Sequence, residues 1–231
     1  MRAAAALKDR AKAMLTHVGS VFPESCIDSA NACLNFLETG RWFAQMNFSL
    51  RRRVQTREDV YAEIAANVAG ARVLYLEFGV WQGASLRWWS RSLRHPEAML
   101  HAFDRFEGLP EDWNGRWARG AFSTNGIMPQ VDDPRVRFFV GWFSDTLPAY
   151  EAPPHDVLLV NVDCDLYSSA KTVLTALQPL IRVGTMLYFD EYADRLNEQR
   201  AFHEYLTATG QRFQVVAASR NLNNVAFVRV S

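Results

Sequence analysis

Acidic residues sit directly at or after short apolar runs in this sequence, and that placement is where chemistry should be sought. The stretch Leu76-Glu77-Phe78-Gly79-Val80-Trp81-Gln82-Gly83-Ala84-Ser85 joins an acid to two glycines that would let the backbone turn tightly and approach a ligand. The glycine spacing is G-x-x-x-G, not the G-x-G-x-x-G of dinucleotide folds, and no P-loop lysine follows, so a pyrophosphate or triphosphate fits poorly. Glu77 suits a positively charged amino group instead. Asp104, one βαβ unit further on, is placed to accept both hydroxyls of a ribose, the plainer reading being a surface aspartate that caps a turn.

These residues need a sheet to align them, and the pattern predicts one. From Val73 onward the apolar runs are short and continuous, as in parallel strands buried on both faces: Val73 to Phe78, Met99 to Phe103, Val136 to Val140, Val157 to Val162 and Thr185 to Phe189. Phe213 to Ala218 and Val225 to Val230 close the chain as an antiparallel pair across a polar turn at residues 219–224. The expected fold is α/β, a Rossmann-like doubly wound sheet of seven strands, mostly parallel with the last strand antiparallel. Ligands of such sheets bind beyond the carboxyl ends of the strands. Upstream, Ala3 to Leu15, Ser25 to Leu37 and Thr56 to Val68 read as helices, with Thr56 and Asp59 resembling a capping start. Residues 1–70 are expected to form a helical extension serving as lid or dimer contact, and residues 71–231 the main domain. The Arg51-Arg52-Arg53 run reads as a solvated turn.

Composition narrows the partners. Lys plus Arg equals Asp plus Glu at 25 each over 231 residues, so no bulk positive field gathers nucleic acid or an anionic membrane. No run approaches the ~20 apolar residues needed to span a bilayer. Three widely spaced cysteines, Cys26, Cys33 and Cys164, form no metal-binding pattern and suit a reduced, cytoplasmic setting. A small-molecule partner is expected, with homo-oligomer contacts through the N-terminal helices as an option.

Five motifs then occur in order: Leu76-Glu77-Phe78-Gly79-Val80; Phe103-Asp104-Arg105-Phe106-Glu107-Gly108-Leu109-Pro110; Gly141-Trp142-Phe143 with Thr146-Leu147-Pro148; Asp163-Cys164-Asp165-Leu166-Tyr167-Ser168-Ser169; and Phe189-Asp190-Glu191-Tyr192. Together they resemble the macrocin-type (TylF/MycF) O-methyltransferase family over about Val73 to Tyr192. The resemblance implies a class I methyltransferase fold, S-adenosylmethionine as methyl donor and, very often, a divalent metal. Carried over by position, Glu77, Phe78, Gly79, Gly83, Ser85, Asp104, Phe106, Trp142, Phe143 and Asp163 would hold the donor. Asp163, Asp190 and Glu191 would be the ligands of Mg²⁺, and hard oxygen donors on neighbouring strand ends suit that ion. Carboxylates gathered at one sheet edge repel unless a cation or protons neutralise them. The bland alternative has Asp165 capping the helix near Tyr167 while Asp190 and Glu191 face solvent. Metal-dependent members tend to carry two aspartates where this chain has Asp190-Glu191.

The acceptor side is less specified. Residues 110–130 hold Trp113, Arg116, Trp117, Arg119 and Phe122 but no histidine, which leaves His203 and Asp163 as candidates for the general base. A lone helical histidine is more often a surface residue. Trp88 and Trp89 read as core, whereas Trp113, Trp117 and Trp142 lie in loops where they can stack on adenine or a sugar face. An aromatic, partly basic loop suits a sugar, a glycosylated natural product or a phenol. Two other readings stay open: a metal-independent methyltransferase acting on nitrogen or oxygen, and a non-catalytic adenosylmethionine-binding regulator. An NAD-dependent oxidoreductase is disfavoured by the glycine spacing.

Overall fold

Wherever the chain strings Val, Leu and Phe together without polar interruption it forms a strand covered on both faces. The computed structural model describes residues 2–113 and 115–231. Two compact units result, residues 1–46 and 47–231. The first holds α1 (Arg2–Gly19) and α2 (Glu24–Gln45), both longer than the sequence reading. No helix among the described residues is long and apolar enough to cross a membrane.

The second unit begins earlier than residue 71, because an edge strand and a helix packed on the sheet lie before that point. A two-residue edge strand, β1 (Arg53–Val54), precedes α3 (Arg57–Asn67). The arginine run is therefore not simply a turn: Arg53 pairs in register with Ala218, and Arg52 forms an ion pair with Glu63 at 2.6 Å. Helix α3 starts on a complete capping box. The Thr56 hydroxyl accepts from the Asp59 amide at 3.1 Å, and the Asp59 carboxylate accepts from the Thr56 amide at 3.0 Å.

The remaining strands are β2 (Val73–Phe78), β3 (Met99–Asp104), β4 (Val136–Val140), β5 (Val157–Val162), β6 (Met186–Phe189), β7 (Phe213–Ser219) and β8 (Val225–Arg229). They form one eight-stranded sheet in the order β1-β7-β8-β6-β5-β2-β3-β4. Only β8 runs antiparallel to its neighbours. One strand more than expected is present, since two residues are too short a run to announce β1. Helices α4 (Ala84–Ser92), α5 (Phe143–Thr146), α6 (Tyr167–Leu177) and α7 (Glu198–Thr209) complete the domain.

Packing on the two faces fixes the strand ends. On one, Val60, Tyr61 and Ile64 of α3 and Leu86 and Trp89 of α4 bury against Tyr75 and Tyr188. Tyr61 lies 4.9 Å from Tyr188 between ring centroids. Elsewhere Phe78, Phe103 and Phe139 stack in a row with centroids 4.7 and 4.6 Å apart. Trp89 is fully buried, as core residues of this helix should be. The chain turns from the β2-β3-β4 half to the β5-β6 half between β2 and β5, which is where an α/β sheet opens a crevice.

Candidate active site

Four strands end flush. Phe78 is in register with Phe103 and Val162, and Val162 with Phe189. The first residue past β2, β4, β5 and β6 then donates its amide to a carbonyl at the end of a neighbouring strand: Gly79 to Phe103 at 3.1 Å, Gly141 to Asp104 at 3.1 Å, Asp163 to Phe78 at 3.0 Å and Asp190 to Val162 at 3.2 Å. Five tips become one continuous row. Above it lies a cleft of about 1010 Å³ lined by Gly79, Ser85, Asp104, Trp142, Phe143, Asp163, Asp165, Asp190 and Glu191, among others.

Asp104 organises the glycine-loop end of the cleft. Its Oδ2 accepts from the amides of Val80 at 2.7 Å and Trp81 at 2.9 Å, and its Oδ1 accepts from the Phe106 amide at 2.7 Å. One carboxylate thus holds both loops that border the cleft. Trp81 and Phe106 adopt left-handed backbone, φ 46° and 64°, which non-glycine residues keep only when surrounding contacts enforce it. Gly79, at φ 89°, passes so close to β5 that a Cβ there would lie 1.7 Å from the Asp163 carbonyl oxygen.

Glu77 is placed differently from its expected role. It is fully buried and does not line the cleft; its Oε2 accepts from the Tyr75 hydroxyl at 2.9 Å and its Oε1 from the Ser85 hydroxyl in a short contact. The alternation of β2 turns its side chain toward the α4 face, so it supports Ser85, which does line the cleft, and does not itself meet an ammonium group. Burial pushes its carboxyl up to about 8, against the hydrogen bonds from Ser85 and Tyr75 and with Asp104 and Asp190 adding to the rise. The folded chain therefore carries an extra proton here between the ordinary 4.5 and about 8. The resulting stability is complete below 4.5 and is lost as pH rises through about 8. Glu77→Gln, an isostere of the protonated form, should melt with a shallower decline in Tm between about pH 5 and pH 8 than the wild type. Parallel melting curves for the two proteins would refute this assignment.

At the other end of the row the charges crowd. Asp163, Asp165, Asp190 and Glu191 all line the cleft. Burial, then Asp190 and Asp165, raise the Asp163 carboxyl well above its ordinary range, and burial with Asp190 lifts Asp165 and Glu191 each to about 7. Beneath them Glu198, fully buried, accepts from the amides of Cys164, Asp165 and Glu191, each at 3.2 Å. That side chain sets the shape of both acidic tips. Asp190 is held by Asn224, whose Nδ2 donates to its Oδ1 at 2.9 Å, and by the Tyr188 hydroxyl, while Arg57 Nη1 stands 3.8 Å from its Oδ2. Among the described residues no three His, Cys, Asp or Glu side chains converge as metal ligands in this arrangement.

One border of the cleft is an aromatic loop. Leu109 donates its amide to the Ala121 carbonyl and accepts at its own carbonyl from the Gly120 amide, both at 2.9 Å, which closes the loop as a hairpin. Trp117 packs on Phe122 with centroids 4.9 Å apart, and Trp81 meets Phe122 at 5.9 Å. Trp113 is buried and its indole donates to Asp194 at 3.3 Å, so it is more wall than platform. Across the cleft the Arg105 guanidinium lies 4.6 Å over the Trp142 ring.

Residues 76–192, half of the chain, match the methyltransferase domain family. The chain belongs to that family. A Streptomyces olivaceus relative named 8-demethyl-8-(2,3-dimethoxy-alpha-L-rhamnosyl)-tetracenomycin-C 4'-O-methyltransferase is 32% identical over 155 residues, 56% of each chain. Demethyldecarbamoylnovobiocin O-methyltransferase of Streptomyces niveus is 28% identical over 184 residues, 68% of each. The match thus spans little more than half the length of the first of these relatives. The solved O-methyltransferase NovP has the same fold, with a TM-score of 0.59 at 24% identity, covering 76% of this chain and 80% of its own.

Within this methyltransferase domain several expected site residues stand back from the cleft. Phe78 and Phe106 are buried and act by packing, Phe78 in the stack with Phe103. Gly83 is the left-handed residue before α4, where a Cβ would meet Pro129 at 2.9 Å. His203 is a correction: α7 buries Glu198, Gln199, Ala201, Phe202, Tyr205 and Leu206, which leaves His203 exposed and outside the cleft lining. It is not placed to take a proton from an acceptor. Asp165 is another, for it does not cap α6. Left-handed at φ 61°, it faces the cleft, and the Tyr167 amide is met by Asn197 Oδ1 at 3.0 Å. Arg57, Glu198 and Asn224 were absent from the sequence reading. They come from outside the motifs, and only folding brings them to the acidic tips.

Proposed function

We propose that the protein transfers the methyl group of S-adenosylmethionine to a hydroxyl oxygen of a small molecule, a glycosylated natural product or a phenol, with help from a divalent cation. The observation that carries this reading is the continuous row of tips, with Gly79 pressed against Asp163 and Asp104 beside them, under one cleft large enough for a nucleoside and an acceptor. The names of the two curated relatives, both O-methyltransferases and one acting on a rhamnosyl group, support the oxygen acceptor and the sugar.

In this reading Asp104 meets the ribose hydroxyls, Trp142 and Phe143 border the adenine, and Gly79 gives room for the methionine part beside Ser85. The aromatic loop holds the acceptor with its oxygen in line behind the methyl carbon. A C–O bond forms as the C–S bond breaks, and the sulfonium leaves as a neutral thioether. Orientation supplies much of the rate, since near-attack placement alone is worth up to about 7–11 kcal/mol. The hydroxyl proton passes to the acidic end of the cleft, where Asp163 is the candidate acceptor by position.

The acids fit Mg²⁺ by donor type and by charge, although their side chains are not drawn together in this arrangement. Three carboxylates raise or face one another's charge, and a cationic group already stands beside Asp190. Asp163, Asp190 and Glu191 would hold the ion, which when bound makes an acceptor hydroxyl easier to deprotonate. Exposed apolar residues on α1 and α2, such as Leu15 and Phe36, support assigning these helices to contacts with a second copy.

The test is turnover of a rhamnosylated phenolic acceptor with S-adenosylmethionine, followed by mass spectrometry, with and without EDTA. A product one methyl heavier is expected, and the chelator should slow its formation at least tenfold, a barrier change of about 1.4 kcal/mol. Donor binding with no product from a panel of sugar, phenol and amine acceptors would favour a binding protein. Undiminished turnover in EDTA would remove the metal from the reading.

A further inference from the structure

We infer that Arg57 is the resident counter-cation of the acidic end and competes with a divalent ion for Asp190, an inference that rests on reading these acids as a cation site. The two oxygens of Asp190 are engaged differently. Its Oδ1 accepts from Asn224 Nδ2 at 2.9 Å and from the Tyr188 hydroxyl. Its Oδ2 lies 3.8 Å from Nη1 of Arg57, and both residues line the cleft. An incoming cation must therefore take the oxygen that the guanidinium attends.

Arg57 is held at that place by the fold. It is the first residue of α3, fixed by the Thr56–Asp59 capping box, and one turn later Tyr61 packs on the Tyr188 ring whose hydroxyl binds Asp190. Its Nε donates to Glu58 Oε1 at 3.1 Å, which supplies an alternative carboxylate on the solvent side. At 3.8 Å the contact with Asp190 is an ion pair and not a hydrogen bond, and the Arg57 side chain is 38% exposed. The guanidinium can swing to Glu58 without leaving a buried charge behind. Arg57 thus neutralises Asp190 when no ion is present and raises the cation concentration at which the acids fill.

Calorimetric titration of the full chain with Mn²⁺, checked by loss of the free-ion electron paramagnetic resonance signal, tests this without reference to turnover. Arg57→Met removes the charge and leaves the capping pair intact; it should bind Mn²⁺ about tenfold more tightly than wild type, about 1.4 kcal/mol. Arg57→Lys keeps a tethered charge and should stay within about threefold of wild type. Equal or weaker binding by Arg57→Met overturns the inference, and so does an absence of Mn²⁺ binding in all three proteins. Titrating the same samples with S-adenosylhomocysteine separates the two ideas: normal binding leaves the methyl-donor reading standing when the Arg57 inference fails, and no binding by the wild type removes that reading itself.

Discussion

Gly79→Ala is expected to eliminate measurable S-adenosylhomocysteine binding and to lower Tm by roughly 10 °C, taking ~3 kcal/mol of strain and about 2–4 °C per kcal/mol for a chain of this size. Two independent costs meet at this residue. Its φ of 89° lies where an L side chain is strained, and the added carbon would stand 1.7 Å from the Asp163 carbonyl oxygen and 2.8 Å from its carbon. Neither obstacle is a flexible side-chain end. Relief requires β2 and β5 to move apart just past the Asp163–Phe78 hydrogen bond, and that displaces the glycine loop and the acidic tip together. Thermal melting and calorimetric titration of one variant suffice. A variant that melts within a degree or two of wild type and binds the ligand normally would show that the close approach is not what shapes the cleft.

For Asp104→Ala the expected loss of S-adenosylhomocysteine affinity is about a hundredfold, ~2.7 kcal/mol, made up of the ribose contact and a loosened border. The carboxylate accepts from three backbone amides on two loops, and hydrogen bonds to a charged group are worth about 1.5–3 kcal/mol each. Without it the left-handed residues Trp81 and Phe106 lose the partner that keeps them so. Asp104→Asn keeps one carbonyl oxygen and should fall between wild type and alanine, because its amide nitrogen cannot accept from either Val80 and Trp81 or Phe106. An alanine variant with undiminished affinity would confine Asp104 to a role in neither loop nor donor.

How far the sequence could be read follows from which forces are local. Strands β2 to β8 were visible within a residue or so because continuous burial demands continuous apolar residues. Asp104, Asp163 and Asp190 were visible because acids immediately beyond such runs have few structural reasons to be there. β1 was not, since a two-residue edge strand is defined by its partner at Ala218 and not by its own composition. Glu77 was assigned to the ligand, yet strand alternation and the Ser85 and Tyr75 hydroxyls bury it behind the wall. His203 drew notice for its chemistry alone; the face that α7 buries decides against it. Arg57 and Glu198 act at the site from helices outside the motif-bearing stretch or at its far side, and no spacing rule links Arg57 to Asp190 or Glu198 to Cys164.

The loop closed by Leu109 and Ala121 has a neck made of glycines. Gly108 lies so near the opposite strand of that neck that a Cβ would be 2.3 Å from the Ala121 carbonyl oxygen. Among the described residues beyond the neck, Trp113 and Trp117 are paired by backbone bonds, and Trp117, 40% exposed, packs on Phe122. If the proposed acceptor role holds, changing this loop's length and aromatic content would change the molecules welcomed while the floor beneath stays as it is.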